Sequence, residues 1–254
     1  MTLWNAFLDL LEQLLTFFHD TYAGLPLLGA WPWAWAIVTL TVVVRVVLLP
    51  LAIKQINSMR GMQQLQPEIK RIQKKYKTDR DLMRKNPEKF RAQRQKQQEE
   101  MMKLYKEHNV NPVGGCLPLL LQLPIFFALF RLLFDEARVT ELETARFFFV
   151  DGLTQTPWTL LGAGFTGYAG AWVLVVLMGA TTYFSQRQMM ANNPAAADQP
   201  HMKIMLYVMP VMLTVFAVNF PIGVVLYWVT TNFWTMGQQW IMFRKVEPAA
   251  PAKA

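Results

Sequence analysis

The chain is 254 residues long, 53% hydrophobic and 17% charged, with a net charge of +8. Soluble domains carry about a quarter charged residues, so this composition points to a membrane and excludes an ordinary soluble globule. The lone cysteine, Cys116, excludes an intramolecular disulfide scaffold.

The apolar residues gather in long runs. Between Asp20 and Lys54 only Arg45 is charged, and Gly152 to Gln186 carry no charge at all. Each run reaches the roughly 20 residues that a bilayer-crossing helix needs. Sixteen of the 25 Lys and Arg residues lie in 54–110 against seven acids, while residues 1–32 hold Asp9, Glu12 and Asp20 and no Lys or Arg. Residues 135–151 hold five acids against Arg138 and Arg146. Basic residues beside membrane segments mark the cytoplasmic side, which predicts 54–110 inside and 1–32 and 135–157 outside. The basic block also suits a solvated surface or a nucleic-acid arm, but no binding motif or regular aromatic spacing accompanies it. A cytoplasmic segment lying near anionic lipid headgroups is the more economical reading.

In residues 2–18, Leu3, Trp4, Phe7, Leu8, Leu11, Leu14, Leu15 and Phe18 fall at helical spacing, with Asn5, Asp9, Glu12 and Gln13 opposite. This predicts an amphipathic helix in the outer interface, with 1–32 an extracytoplasmic lead-in. A signal peptide is the competing reading, but the basic start and small-residue cleavage site it needs are unconvincing here. The first span is predicted at 33–53, about 31 Å of helix, with Arg45 near its middle. The basic block 54–110 reads as a helical hairpin with little apolar glue. Ile56, Met59, Met62, Leu65, Ile69, Ile72 and Tyr76 form a seam that Pro67 should bend or interrupt. A break follows around Lys77 to Lys85, after which Asn86 and Pro87 suit an N-cap and first helical position. The second helix offers Phe90, Met101, Leu104 and few others to the seam.

Spans two to five are predicted within 113–243. Span two, about 113–134, holds the helix breakers Gly114, Gly115, Pro118 and Pro124. Span three is placed at about 168–186 in a stretch rich in Gly162, Gly164, Gly167 and Gly170; the glycines before the span read as loop, with small residues packing between helices as the alternative. An outer loop, 135–167, precedes it and an inner loop, 187–203, follows. Spans four (204–219) and five (222–242) are joined by a tight turn, and a short tail, 244–254, lies inside. The fold class is an all-α integral membrane protein with five transmembrane helices, N-terminus out and C-terminus in.

Enzyme chemistry finds no support. His19, His108 and His201 lie far apart without metal-ligand spacing, Ser58 and Ser185 lie in no GxSxG elbow, and no GxxxxGK phosphate loop occurs. No cofactor and no metal are expected. What remains is Arg45. A guanidinium at a helix centre costs about 2.5–3.5 kcal/mol on insertion, which the twelve Leu, Ile and Val residues of 33–53 offset at about 0.3–0.6 each. Arginine stays protonated, so it needs water, an acid or acceptor dipoles. No predicted span contains Asp or Glu, which makes a water-filled cavity the simplest solution. An arginine bonded to helix carbonyls to hold the bundle together is the alternative. Polar residues that could line the same cavity are Thr41, one turn before Arg45, with Gln122, Thr181, Thr182, Trp228, Thr230, Thr231 and Asn232. A small-solute or ion channel or transporter also explains a lone charge facing water. It predicts a pore open to both sides and commonly inverted repeats, and no repeat occurs.

Two long motifs then become recognisable. Asn111-Pro112-Val113-Gly114-Gly115-Cys116-Leu117-Pro118, running on to Gln122-Leu123-Pro124-Ile125-Phe126, resembles the central signature of the YidC-type membrane protein insertases of the YidC/Oxa family. Phe220-Pro221-Ile222-Gly223-Val224-Val225-Leu226-Tyr227-Trp228 through Thr231-Asn232 resembles their last-span signature, and Val44-Arg45-Val46 through Pro50-Leu51 matches the stretch before their first inside loop. The likeness covers about residues 30–243, in the bacterial form without a large periplasmic domain. It implies a five-helix core around a hydrophilic groove that is open to cytoplasm and lipid, closed outside, and served by a mobile cytoplasmic hairpin. By position Arg45 is the groove arginine, Gln122 the span-two polar residue and Trp228 the facing aromatic. The candidate substrate-binding set is Arg45, Gln122, Trp228, Thr41, Thr231 and Asn232. The implied function is insertion and folding of nascent membrane proteins with short translocated segments, in the bacterial inner membrane. Lipids are partners; the Sec translocon, the ribosome and signal-recognition targeting factors are further candidates, and DNA is not.

Overall fold

The computed structural model describes residues 3–26, 28–76, 86–108, 117–134, 142, 145–148, 150–162, 165–191 and 200–243. The expected break at Lys77 to Lys85, the glycines at 114 and 115, Cys116, the acids from Asp135 to Glu143 and the tail 244–254 lie outside these residues. The described chain is almost wholly helical, with one two-stranded antiparallel ribbon, β1 (Arg146–Phe147) and β2 (Val150–Asp151).

Helix α1 (Leu3–Ala23) packs Leu8, Leu11 and Leu15 into the main core, against α2 (Pro32–Val47) and α6 (Leu117–Phe134). The face predicted to meet the membrane is therefore divided. Its centre meets protein, while Leu3 and Trp4 are exposed together with Leu10 and Phe17. The His19 ring stacks on Trp33 at 4.0 Å, and the Tyr22 and Thr39 hydroxyls lie 2.8 Å apart, tying the end of α1 to α2.

The expected straight span over 33–53 is broken. Helix α2 ends at Val47, and the chain turns by 57° into α3 (Leu49–Gln64). Pro50 explains the break, because its ring lacks an N–H and crowds the carbonyl four residues back. Arg45 consequently sits in the last turn of α2 rather than mid-helix, where the helix dipole favours a cation. Pro67 acts as predicted, separating α3 from α4 (Gln66–Lys75) and occupying the first turn of the latter. Asn86 caps α5 (Pro87–Glu107) by accepting from the Lys89 N–H at 3.0 Å. Helices α4 and α5 share a small core of Leu65, Ile69, Leu104 and Tyr105, flanked by Ile72 and Met101. The side chains of Met59 and Met62 lie outside the described residues.

Helix α7 (Phe165–Ala191) extends beyond its expected bounds at both ends, so Gly167 is helical rather than loop. Helix α8 (Pro200–Ala217) packs on α7 at Gly179, where an added Cβ would lie 2.3 Å from Thr214 Oγ1. Helix α9 (Ile222–Phe243) is the central element, in contact with α7, α2 and α6 and buried continuously from Ile222 to Tyr227. Gly223 allows this, since a side chain there would meet Leu133 and Ile37 at 2.9 and 3.1 Å. The first N–H groups of α9 have no partner within the helix. Ile222 donates instead to the Gln155 carbonyl and Gly223 to that of Leu153, just past the turn that Gly152 makes at φ +78°. At its other end, Arg60 of α3 donates to the Met242 carbonyl, with the guanidinium 5.7 Å from the Phe243 ring centre.

Apolar side chains dominate the exterior of α7 and α8: Val173, Val176, Phe184, Ile204, Val208, Val211, Val215 and Phe216 are all more than half exposed. Such a continuous patch is rare on a soluble monomer. Among the described residues one helix, Ala169–Ala191, is long and apolar enough alone to cross a bilayer. The bent pair α2–α3 qualifies if taken as one span, and Gln122–Leu133 and Leu206–Ala217 are shorter apolar segments.

Two outcomes are expected. Gly223→Leu lowers stability by about 1–3 kcal/mol through overpacking, read as a fall in melting temperature in detergent. At the C-terminal end of α4, Lys75 and Tyr76 bond Glu100 of α5 at 2.5 and 2.8 Å. The hydrogen bond from Lys75, then that from Tyr76, holds the Glu100 carboxyl below its ordinary value, and Glu100 in turn raises Lys75. The carboxylate contribution is present above the unfolded Glu value and lost as pH falls through the lower folded one. That of Lys75 is present below the unfolded Lys value and lost as pH rises past the folded one. The contact thus holds between about pH 5 and pH 10. Amide exchange in α4 and α5, corrected for intrinsic rates, should quicken on acidification below that window, and Glu100→Gln should remove this dependence.

Candidate functional site

Three helices meet at Arg45. From the last turn of α2 its Nη2 donates to Gln122 Oε1 on α6 at 2.8 Å. The other end of that amide, Nε2, donates to the Tyr227 hydroxyl on α9. Arginine can only donate and a primary amide has one accepting and one donating end, so the chain Arg45–Gln122–Tyr227 has one consistent direction. Tyr227 is 3% exposed, while Arg45 and Gln122 are half-buried. Thr231 follows Tyr227 by one turn on the same face of α9, and is the next polar side chain beside its hydroxyl.

Thr41 is buried beside this chain and spends its hydroxyl on the Ile37 carbonyl of its own helix, at 2.7 Å. It shares a small hollow with Tyr227, Val44, Leu11, Ile125 and Leu129. Most of that lining is apolar, so the hollow differs in character from the polar chain next to it.

The remaining expected residues lie elsewhere on α9. Trp228 is about 100° further round the helix than Tyr227. Its ring meets Phe126 edge-on at 5.5 Å, next to Phe130 and Phe220, and packs on the Val175–Met178 cluster. Asn232 faces α7, where its Nδ2 donates to Thr181 and Thr182 at 3.0 and 2.9 Å. Gln188 donates to the Met236 carbonyl nearer the C-terminal end of α9 in the same seam. Thr230 bonds its own helix. The structure thus brings Arg45, Gln122, Thr41 and Thr231 together around Tyr227, and puts Trp228 and Asn232 on neighbouring seams. Tyr227 was not singled out from sequence as a site residue. The available signal was a phenol inside the apolar run Ile222 to Val229, since a buried Tyr hydroxyl ordinarily needs a partner. Among the described residues no cluster of His, Cys, Asp or Glu could hold a metal ion.

The sequence profile of the family described as 60Kd inner membrane protein matches residues 26–249. The chain belongs to this family. Among curated relatives, a membrane protein insertase YidC of Streptomyces avermitilis is 38% identical over 265 residues, covering 93% of this chain and 57% of that protein. Membrane protein insertase YidC 2 of Bacillus anthracis is 34% identical over 241 residues, covering 94% of this chain and 81% of that one. Among solved structures, a crystal structure of an active YidC insertase with its first transmembrane domain resolved superposes with a TM-score of 0.61 at 26% identity. It covers 94% of this chain and 46% of that one. The chain therefore spans about half the length of the Streptomyces relative and of the crystallised protein.

Asn232→Leu should cost about 1–3 kcal/mol, because it leaves the buried Thr181 and Thr182 hydroxyls without their shared donor. Thr230→Val, which loses only a bond within its own helix, should change stability by less than about 0.5 kcal/mol. Thermal unfolding of the two variants in one detergent makes the comparison.

Proposed function

We propose that the chain is a membrane protein insertase: it takes a newly made membrane protein with a short polar or acidic segment, passes that segment outward, and releases the apolar helix to lipid. The observation that carries this reading is the Arg45 guanidinium held between α2, α6 and α9 by Gln122. A fixed positive charge among apolar helices is a place for an acidic segment to pause. In a partly desolvated setting the attraction exceeds its value in water. No nucleotide is needed, because burial of the substrate's apolar helix supplies the driving force and the membrane potential assists outward movement of negative charge.

In this reading five spans cross the inner membrane, formed by α2 with the start of α3, then α6, α7, α8 and α9, with the N-terminus outside and the C-terminus inside. Arg45, Gln122 and Thr231, joined through Tyr227, line a groove open to cytoplasm and lipid, with Thr41, Trp228 and Asn232 at its margins. The basic pair α4–α5 lies on the cytoplasmic side, where it meets lipid headgroups, substrate and targeting factors. The Sec translocon and the ribosome are further partners to test. The 18 residues of α8 amount to about 27 Å, short of the roughly 30 Å hydrocarbon core. A locally thinner bilayer would shorten the path across.

The test compares Arg45→Ala and Arg45→Lys in cells depleted of their own insertase. Arg45→Ala should slow insertion of a substrate with an acidic tail about tenfold, equivalent to about 1.4 kcal/mol, and Arg45→Lys should retain most of the activity. Wild-type insertion by Arg45→Ala overturns the electrostatic part of the reading.

A further inference from the structure

We propose that Tyr227 is the positioning residue of this site: by accepting from Gln122 Nε2 it anchors the amide whose Oε1 accepts from Arg45, and so holds the guanidinium in the seam between α2, α6 and α9. The proposal deepens the insertion reading and rests on it for its functional consequence, though not for its geometry.

The argument begins with the shape of an amide. Its oxygen and its NH2 group are nearly the same size, so packing scarcely distinguishes one orientation of Gln122 from the other. Hydrogen bonding does. Turned over, Gln122 would present an NH2 donor to a guanidinium that has only donors to offer. Arg45 on α2 selects the observed orientation, and the Tyr227 hydroxyl on α9, which can accept as well as donate, anchors the other end of the amide. Tyr227 is the more rigid of the two anchors. It lies in the continuously buried first half of α9, and a phenol on two side-chain torsions cannot wander as an arginine does.

Arg45 needs such an anchor because of its place in the fold. It is in the last turn of α2, immediately before the 57° turn into α3. A long flexible cationic side chain at the end of an apolar helix swings its charge toward water, and here the inner end of the helix is close. The amide of Gln122 opposes that movement by drawing the guanidinium sideways, toward α6 and α9. Removing the Tyr227 hydroxyl leaves the Gln122 NH2 without this partner and frees the amide to turn. Arg45 then keeps its charge but loses its position. Tyr227→Phe therefore separates possession of the charge from its placement, which substitutions of Arg45 itself cannot do.

The direct test reads the exposure of Arg45. The full chain is reconstituted in vesicles of phosphatidylethanolamine and phosphatidylglycerol and treated with phenylglyoxal, and modification of individual arginines is followed by mass spectrometry. Tyr227→Phe should raise the rate at Arg45 about threefold or more, the scale of one net hydrogen bond. Gln122→Leu should do the same, and the double variant should be no faster than either single one. Arg60, held at the end of α9, serves as the internal standard and should keep its rate. An unchanged rate at Arg45 overturns the proposal, and so does a parallel rise at Arg60, which would mean that the hydroxyl merely supports packing. A second arm measures insertion of matched substrates with acidic and neutral tails. Tyr227→Phe should slow the acidic one about threefold and leave the neutral one unchanged. Faster modification of Arg45 with undiminished insertion of the acidic substrate would keep the positioning role and reject the electrostatic reading of function.

Discussion

The bundle is organised by the requirement that a guanidinium, which does not lose its proton in a protein, must find an acceptor among apolar helices. No carboxylate serves, because the predicted spans contain none. Gln122 supplies a neutral amide oxygen instead, and Tyr227 fixes the amide. An acid at position 122 would have satisfied the arginine more strongly but would also have cancelled its charge. An amide leaves the site with a net positive charge, which is the property a site for acidic segments needs.

The rest of the packing serves that meeting of three helices. Helix α9 has to run close to both α2 and α6, and Gly223 permits the approach near Leu133 and Ile37. The loop carbonyls of Leu153 and Gln155 satisfy the first N–H groups of α9, and Arg60 caps its last turn, so the central helix is held at both ends. On its far side Asn232 is bonded to Thr181 and Thr182, which fixes α9 against α7 by hydrogen bonds where apolar burial alone is weak in lipid. The aromatic group of Phe126, Phe130, Phe220 and Trp228 packs α6 against the first half of α9.

Most of this fold was legible because its signals are local. The Asn86 cap, the interruption at Pro67, the tight turn before α9 and the long apolar runs each follow from a few neighbouring residues. The differences arise where two local signals compete or a distant partner decides. Pro50 was read as part of an apolar span, yet it ends α2 and moves Arg45 from the centre of a helix to its last turn. Gly167 favours a loop by local propensity, yet it lies in a helix that tertiary packing sustains. Leu8, Leu11 and Leu15 of α1 show a stripe that any apolar surface could cover, and sequence alone does not tell a lipid surface from a protein one. At the site, Arg45 and Gln122 were recognisable as misplaced polar groups. That Tyr227 rather than Trp228 meets Gln122 depends on the rotation of α9, a difference of one residue that no local pattern encodes.

The central claim is that a substrate in transit occupies the seam around Arg45. The most direct measurement places a photoreactive amino acid at position 122 or, as a control, at Trp158, exposed in the segment before α7, and crosslinks a membrane protein arrested during insertion. The account predicts crosslinks from position 122 to the polar segment of the substrate, and their loss when Arg45 is replaced by alanine. Crosslinks from position 158 alone, or from position 122 undiminished without Arg45, would contradict it.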